Sequence, residues 1–276
     1  MSANTSAALV AIAKNEGRYI VEWIAYNLAI GFDKIIVYSN DSTDSMSSIV
    51  GRISAVDNRV SLIDWPSVEG VSPQTSAYNH AILKIDEQWV AFLDIDEFIV
   101  PFGYSGIKDF LSQIGQDISS VHINWRNFGS SGYKDVDYGL VTKAFTCCAP
   151  SGWGNHHHFK TIARMEFVTE AYIHDIATRQ GRRVLSDMNE FVTENRGLSN
   201  RIVHDKIQIN HYQSKTYPEF KERMLRGDAN FPSQEAREHT QERFSVLDRN
   251  EEIDESIRRF DLMFGKEYDK ITGICS

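Results

Sequence analysis

The sequence predicts an α/β fold built on a mainly parallel sheet flanked by helices, and three observations carry that expectation. Four short apolar runs, residues 8–13, 34–38, 60–63 and 89–93, recur along the first hundred residues. The stretches between them carry a helical period. Each run then ends in polar residues: Lys14-Asn15-Glu16, Ser39-Asn40-Asp41, Asp64 and Asp94-Ile95-Asp96. A strand buried on both faces reads as an unbroken apolar run, and strands alternating with helices give right-handed parallel crossovers. Ligands of such sheets bind outside the carboxyl ends of the strands, where these polar clusters collect.

Residues 8–13 are the first strand. In residues 18–30, Ile20, Trp23, Ile24, Asn27 and Leu28 share one helical side, and Gly31 is suited to end that helix. Residues 34–38 (KIIVY) are the second strand, followed by a polar loop, Asn40-Asp41-Ser42-Thr43-Asp44, able to cap a helix reaching Ile53. Residues 60–63 are the third strand. Residues 74–88 read as a helix with Ala77, Ala81, Ile82 and Ile85 along one side, and residues 89–93 as the fourth strand.

Past residue 100 the alternation loosens. Residues 121–125, 158–165 and 207–212 read as strands, and the chain from Tyr217 onward as helices. Ile253, Ile257, Phe260 and Phe264 recur at helical spacing as an apolar stripe. We divide the chain into a main domain, residues 1–216, and a helical extension, residues 217–276. The stripe is expected to dock on that domain or on a second copy of the chain, as a homodimer. The opposite face (Glu251, Glu252, Asp254, Glu255, Arg258, Arg259) lacks the basic character that an anionic lipid surface favours.

Composition narrows the function. The 276 residues are 42% hydrophobic and 11% aromatic, enough for one large domain with an appendage. A net charge of −9 argues against a nucleic-acid partner. Three cysteines, two of them adjacent (Cys147, Cys148), make no disulfide framework and suit a reducing compartment. The first apolar run is short and closes on Lys14-Asn15-Glu16, so it reads as a strand and not as a secretion signal. No run approaches the roughly 18 residues of a membrane span. The expectation is a cytoplasmic protein, with a peripheral seat on the inner face of a membrane as the alternative.

The stretch WVAFLDIDEFIV sets the chemistry. Asp94 and Asp96 are two apart and point the same way in extended chain. Such a pair repels itself unless a cation joins it, and a hard divalent ion that takes oxygen ligands would do so. An isolated D-x-D is usually a solvated turn. Here it follows a buried strand at the ligand edge of the sheet, which favours metal or phosphate chemistry.

A first strand ending in AIAKNE, a second ending in VYSNDSTD and a fourth running into FLDIDEF, with a late INHYQSK…F…RG segment, resemble the nucleotide-sugar glycosyltransferases of the GT-A (Rossmann-like) fold, family-2-like group. The resemblance covers residues 8 to about 228. It implies that Asn15 and Glu16 contact a uracil-like base, that Asn40, Asp41 and Asp44 contact base and ribose, and that Ala13 belongs to the same donor site. The family's usual D-D-G-S-T-D loop departs here to Ser39-Asn40-Asp41-Ser42-Thr43-Asp44. It further implies that Asp94 and Asp96 hold Mn2+ or Mg2+ against the donor diphosphate, with His211 as a third metal ligand, and that Asp94, Ile95 and Lys160 belong to the donor site. The implied reaction moves a sugar, with inversion, from a nucleotide-sugar donor (a UDP-sugar first) to a saccharide or lipid-linked acceptor, in bacterial surface polysaccharide synthesis.

Elementary chemistry agrees. Breaking a sugar–diphosphate bond builds charge on the leaving phosphates, which a dication stabilises. The sugar passes through an oxocarbenium-like state, and a carboxylate takes the acceptor proton. His156 and His158 share a face if extended, and with Lys160 are expected to line the acceptor or diphosphate cleft; metal ligation or an exposed turn are the alternatives. Trp125 and Arg126 have the flat-plus-polar character of sugar sites, with core packing as the alternative. Asp175 is the expected base, with Glu166, Asp135 and Asp137 as rivals. Residues 179–183 (RQGRR) are a solvated loop or a lid over phosphates. Two rival functions remain: a haloacid-dehalogenase-like phosphatase and a non-catalytic nucleotide-sugar-binding protein. Against the phosphatase, Phe98 stands where that pattern has Thr or Val, and the motif follows the fourth strand instead of the first.

Overall fold

The structure is a computed structural model that describes residues 5–193, 195–226 and 240–275. The first four strands are β1 (Ala7–Ala13), β2 (Lys34–Ser39), β3 (Val60–Asp64) and β4 (Trp89–Phe92), with helices α1 (Ile20–Ala29), α2 (Met46–Val56) and α3 (Pro73–Ile82) between them. Their order in the sheet is β3-β2-β1-β4, and every pairing is parallel. The polar ends named above therefore gather on one edge. Gly31 leaves α1 at φ 105°, a conformation that costs glycine least.

The second half is mixed. β5 (Glu97–Pro101) follows β4 after a tight turn, then come α4 (Ile107–Ser112), β6 (Ile118–Asn127), α5 (Val141–Ala144), β7 (Cys147–Cys148) and β8 (Phe159–Arg164). β9 (Val168–Ala171), β10 (Ile176–Thr178), β11 (Arg182–Leu185) and β12 (Ile207–His211) complete this part. β8 runs antiparallel between β4 and β6, and the sheet continues through β12 to β5, with β11 on the far half of β6. Trp23 Nε1 and Tyr26 Oη on α1 donate to the carbonyls of Glu97 and Ile99, which ties β5 beneath α1. Of the RQGRR segment, expected as a solvated loop or a lid, Arg179, Gln180 and Gly181 form an exposed bend. Gly181 turns the chain at φ 88°, and Arg182 and Arg183 enter β11.

The last described elements are α6 (Tyr217–Arg226), α7 (Thr240–Leu247), β13 (Glu252–Ile253) and α8 (Asp261–Cys275). Of the expected stripe, Ile257, Phe260 and Phe264 are buried in the same chain, with both phenyl rings on Tyr26 of α1. Ile253 corrects that reading. It is 73% exposed and lies in β13, which pairs with Cys147–Cys148 of β7, a long-range contact that no local period encodes.

An ion-pair cluster pins α8. Asp57, at the end of α2, accepts from Arg59 through both carboxylate oxygens (2.9 and 2.7 Å) and from Lys270 Nζ at 2.8 Å. Glu267 reaches Arg59 at 3.0 Å. The Arg59 hydrogen bonds, opposed by burial and joined by Lys270, hold the Asp57 carboxyl well below the usual carboxylate range. The group is a depressed acid, so its contribution is complete above the unfolded value near about 3.9 and fades as pH falls through the lower folded value. Asp57→Asn is expected to cost about 1–3 kcal/mol at neutral pH. For a chain of this size that is about 2–8 °C in melting temperature. Melting curves of both proteins from pH 7 to pH 3 check this; a gap that does not narrow in acid refutes the assignment.

Candidate active site

The D-x-D lies in the turn joining β4 to β5. The Glu97 amide donates to the Asp94 carbonyl at 3.1 Å, and the Asp94 amide donates to Glu97 Oε2 at 2.9 Å. Lys160, on the neighbouring β8, donates from Nζ to Asp94 Oδ2 and to the Ile173 carbonyl, each at 3.0 Å, and stands 3.7 Å from Glu97 Oε2. Gln74 Nε2 on α3 takes Asp94 Oδ1 at 3.0 Å. Lys160 is 1% exposed. Burial alone would neutralise it, but Asp94 and Glu97 outweigh burial and raise its pKa. Burial pushes the Glu97 carboxyl well above its usual range, against the pull of Lys160.

Asp96 faces the other way. Its Oδ2 is 3.2 Å from Arg223 Nη1 on α6 and 3.7 Å from His211 Nε2 on β12. Burial opposes its charge, but His211, Lys215 and Arg223 prevail and hold the carboxyl well below the usual range. Three residues beyond Arg223, Arg226 donates to the carbonyls of Lys14 (2.6 Å) and Asn15 (3.0 Å) and to Glu16 Oε1 (2.6 Å). Burial raises the Glu16 pKa and Arg226 counters it. A cleft of about 280 Å3 opens here, lined among others by Asn15, Glu16, Asp44, Lys215, Arg223 and Arg226.

The loops after β1 and β2 are clipped together. Asn15, at φ 56°, accepts through Oδ1 from the amides of Thr43 (2.7 Å) and Asp44 (3.3 Å). The Gly17 amide donates to Asp44 Oδ2 at 2.8 Å, and a Cβ on Gly17 would lie 2.7 Å from Ser45 Oγ. The expected nucleotide residues Asn15, Glu16 and Asp44 thus share the cleft. Asn40 and Asp41 instead hold the segment after β3: Asn40 Nδ2 donates to the Trp65 carbonyl, and Asp41 accepts from the Ser67 amide. Ala13 and Ile95 are buried. The start of α6 is fixed by Glu219, which accepts from Thr216, Tyr19 and Tyr138.

Several expected residues take other positions. His156 is a core histidine: its Nε2 accepts from the Asn127 amide at 3.0 Å, and burial pushes its pKa down to about 3. Trp125 is 7% exposed, with His158 stacked on it at 4.7 Å and His211 at 4.1 Å. It backs His211 and offers no open ring face to a sugar. Arg126, next on the strand, points away to Glu252 and Asp254. Asp175 is buried against His122 and Arg183 and is not free to act as a base. Glu166 follows the end of β8 that pairs with Trp89, the opposite sheet edge, about 15 Å along β4 from Asp94. A larger cleft of about 650 Å3 lies there, away from the D-x-D. Asp135 and Asp137 are exposed on the loop whose Val136 carbonyl accepts from Arg18, a residue of the smaller cleft's lining. The three residues expected to share an ion form no ready cage; among the described residues no three His, Cys, Asp or Glu side chains converge on one.

His174, Arg223 and Arg226 were not among the expected site residues. His174 packs on Trp125 and His158, and burial drives its pKa far down. The two arginines sit in the F…RG segment, and a basic pair at i, i+3 on a helix was the available signal.

A parallel half-sheet whose carboxyl edge carries clipped loops and a D-x-D turn, closed by a mixed second half, has the GT-A fold. The family model described as glycosyltransferase family 92 matches residues 12–247, and the chain belongs to that family. A family 92 protein of Ricinus communis is 27% identical over 229 residues, covering 79% of this chain and 37% of the relative. One of Oryza sativa subsp. japonica is 25% identical over 227 residues, covering 79% and 35%. The chain thus spans under two fifths of these plant relatives. Among solved structures, a mannosyltransferase of Pyrobaculum calidifontis in complex with GDP-Man and Mn2+ is 17% identical, with a TM-score of 0.34, and covers 44% of this chain and 36% of its own. Glucosyl-3-phosphoglycerate synthase of Mycobacterium tuberculosis with Mg2+ and UDP is 18% identical, with a TM-score of 0.31 and 44% coverage of each chain. Among the described residues no helix is long and apolar enough to cross a membrane.

Proposed function

We propose that the chain transfers a sugar from a nucleotide-diphosphate donor, a UDP-sugar first, to a saccharide acceptor, with the nucleotide in the cleft of Asn15, Glu16 and Asp44. The observation that carries this reading is the row of Asp96, Arg223 and Arg226, which links the D-x-D turn to the nucleotide loops. A diphosphate lying along that row meets Arg223, Lys215 and Arg226, whose guanidinium and ammonium groups suit phosphate oxygens.

Asp96 and His211 suit Mn2+ or Mg2+. One carboxylate beside an imidazole, with no complete protein cage, is the donor set of an ion that shares its sphere with substrate phosphates. When bound there, the ion supplies Lewis-acid stabilisation of the leaving diphosphate. Inversion needs a carboxylate near the acceptor hydroxyl. Asp135 and Asp137 flank Val136, whose carbonyl accepts from Arg18 of the cleft lining, which favours them over Glu166 and Asp175 as that base. The relatives named above are plant proteins, so they lend no support to the bacterial setting suggested by the sequence.

A thermal-shift panel of nucleotides and UDP-sugars, with and without Mn2+, tests the proposal. Donor at a hundred times its Kd adds about 2.7 kcal/mol of stability. The expected result is a metal-dependent rise with uridine diphosphates, and slow donor hydrolysis without acceptor. A rise without hydrolysis identifies a binding protein, and no rise with any nucleotide overturns the reading.

A further inference from the structure

The two aspartates of the D-x-D are neutralised by cations of different kinds. Lys160 is almost fully buried and fixed from three sides, by Asp94, Glu97 and the Ile173 carbonyl. Gln74 takes the other Asp94 oxygen. Neither Asp94 oxygen is left without a partner. Arg223 differs on each count. It lies at the wall of the donor cleft, its side chain is 29% exposed, and it holds Asp96 by one 3.2 Å contact. Its Nε is buried and, among the described residues, has no partner. The oxygen it holds, Oδ2, is the one that His211 Nε2 faces.

We infer that Asp96 alone exchanges partners: Arg223 occupies the place of the divalent ion on Asp96 in the empty chain, and turns to a donor phosphate when ion and nucleotide enter. Asp94 stays with Lys160 and Gln74 throughout. This rests on the donor-binding reading above. A guanidinium and a dication cannot share one carboxylate oxygen at contact distance, because their repulsion grows as the inverse of a few ångströms. The planar fork of arginine fits phosphate as well as carboxylate, so the released side chain finds an equivalent partner in the diphosphate. Ion and nucleotide therefore help each other bind, and by linkage the help is reciprocal.

The test is Mn2+ binding to the full chain, read from the spin-resonance signal of free Mn2+, with and without UDP. In the unaltered protein UDP is expected to tighten Mn2+ about tenfold or more. Arg223→Ala should bind Mn2+ alone at least about threefold tighter, bind UDP more weakly in the presence of the ion, and lose most of the mutual tightening. Arg223→Lys, which keeps a cation on a flexible stem, should fall between. Asp96→Asn should abolish Mn2+ binding, and Asp94→Asn should leave it within about threefold. Circular dichroism melts confirm that each variant is folded. The inference is overturned if Arg223→Ala binds Mn2+ alone no tighter than the unaltered protein, or keeps the full UDP effect. If UDP and Mn2+ fail to bind the unaltered chain at all, the donor-binding reading itself is wrong and this one falls with it.

Discussion

Asp96→Ala is expected to lower the transfer rate at least about a thousandfold, or about 4 kcal/mol of barrier. The residue sits where three effects meet. It is the one D-x-D carboxylate that faces His211 and the cleft arginine together. Nearby cations favour its charged form in spite of burial. Its removal also leaves Arg223 free to bind phosphate unproductively when no ion is present. The variant is therefore expected to bind UDP without Mn2+ at least as tightly as the unaltered protein, and to lose the metal-dependent part. Steady-state rates with saturating donor, paired with UDP titrations, check both halves. Near-normal turnover in a folded Asp96→Ala protein would remove Asp96 from the chemistry.

Lys160→Met is expected to have the largest effect on stability. Removing one partner of a buried ion pair costs about 3–5 kcal/mol because the remaining charge is left uncompensated. Here that means about 6–15 °C in melting temperature. Two carboxylates lose their cation at once, Asp94 at 3.0 Å and Glu97 at 3.7 Å. Glu97 is already pushed up by burial, so in the variant it takes up a proton in the folded state sooner than in the unfolded one. A folded state that binds more protons gains stability as pH falls. The deficit of Lys160→Met should then shrink between pH 7 and pH 5, and Glu97→Gln in the same chain should recover part of it. A deficit independent of pH, with no recovery in the double variant, would show that Lys160 acts by packing alone.

The parallel half of the fold was legible because β1, β2 and β4 are almost wholly buried, which leaves apolar runs at regular spacing, while the edge strand β3 is only partly buried. The D-x-D was legible for the same reason, since polar residues at the end of such a run have few structural uses. What stayed hidden depends on long-range pairing. Residues 97–101 are a strand only because β12 pairs with them more than a hundred positions later. Arg223 meets Asp96 across 127 residues, from a segment that local period marks only as an amphipathic helix. The histidine run misled in another way. His156 and His158 sit two apart, but His156 lies in a 3-10 turn, so one ring enters the core and the other stacks on Trp125. No local sequence pattern shows that Glu166 falls at the wrong edge of the sheet or that Asp175 is already paired.

The contact of Arg226 with the carbonyl of Asn15 closes the smaller cleft across 211 residues. A ribosome has finished all four parallel strands by Phe92, yet the edge they form lacks a wall until α6 has left the exit tunnel. Contacts of such sequence separation form late, because the loop entropy must be overcome before they are rewarded. The nascent chain therefore carries a nearly complete sheet before that cleft exists. On the proposed function, a chain stalled before Arg226 is expected to fold its parallel half without sequestering nucleotide-sugar.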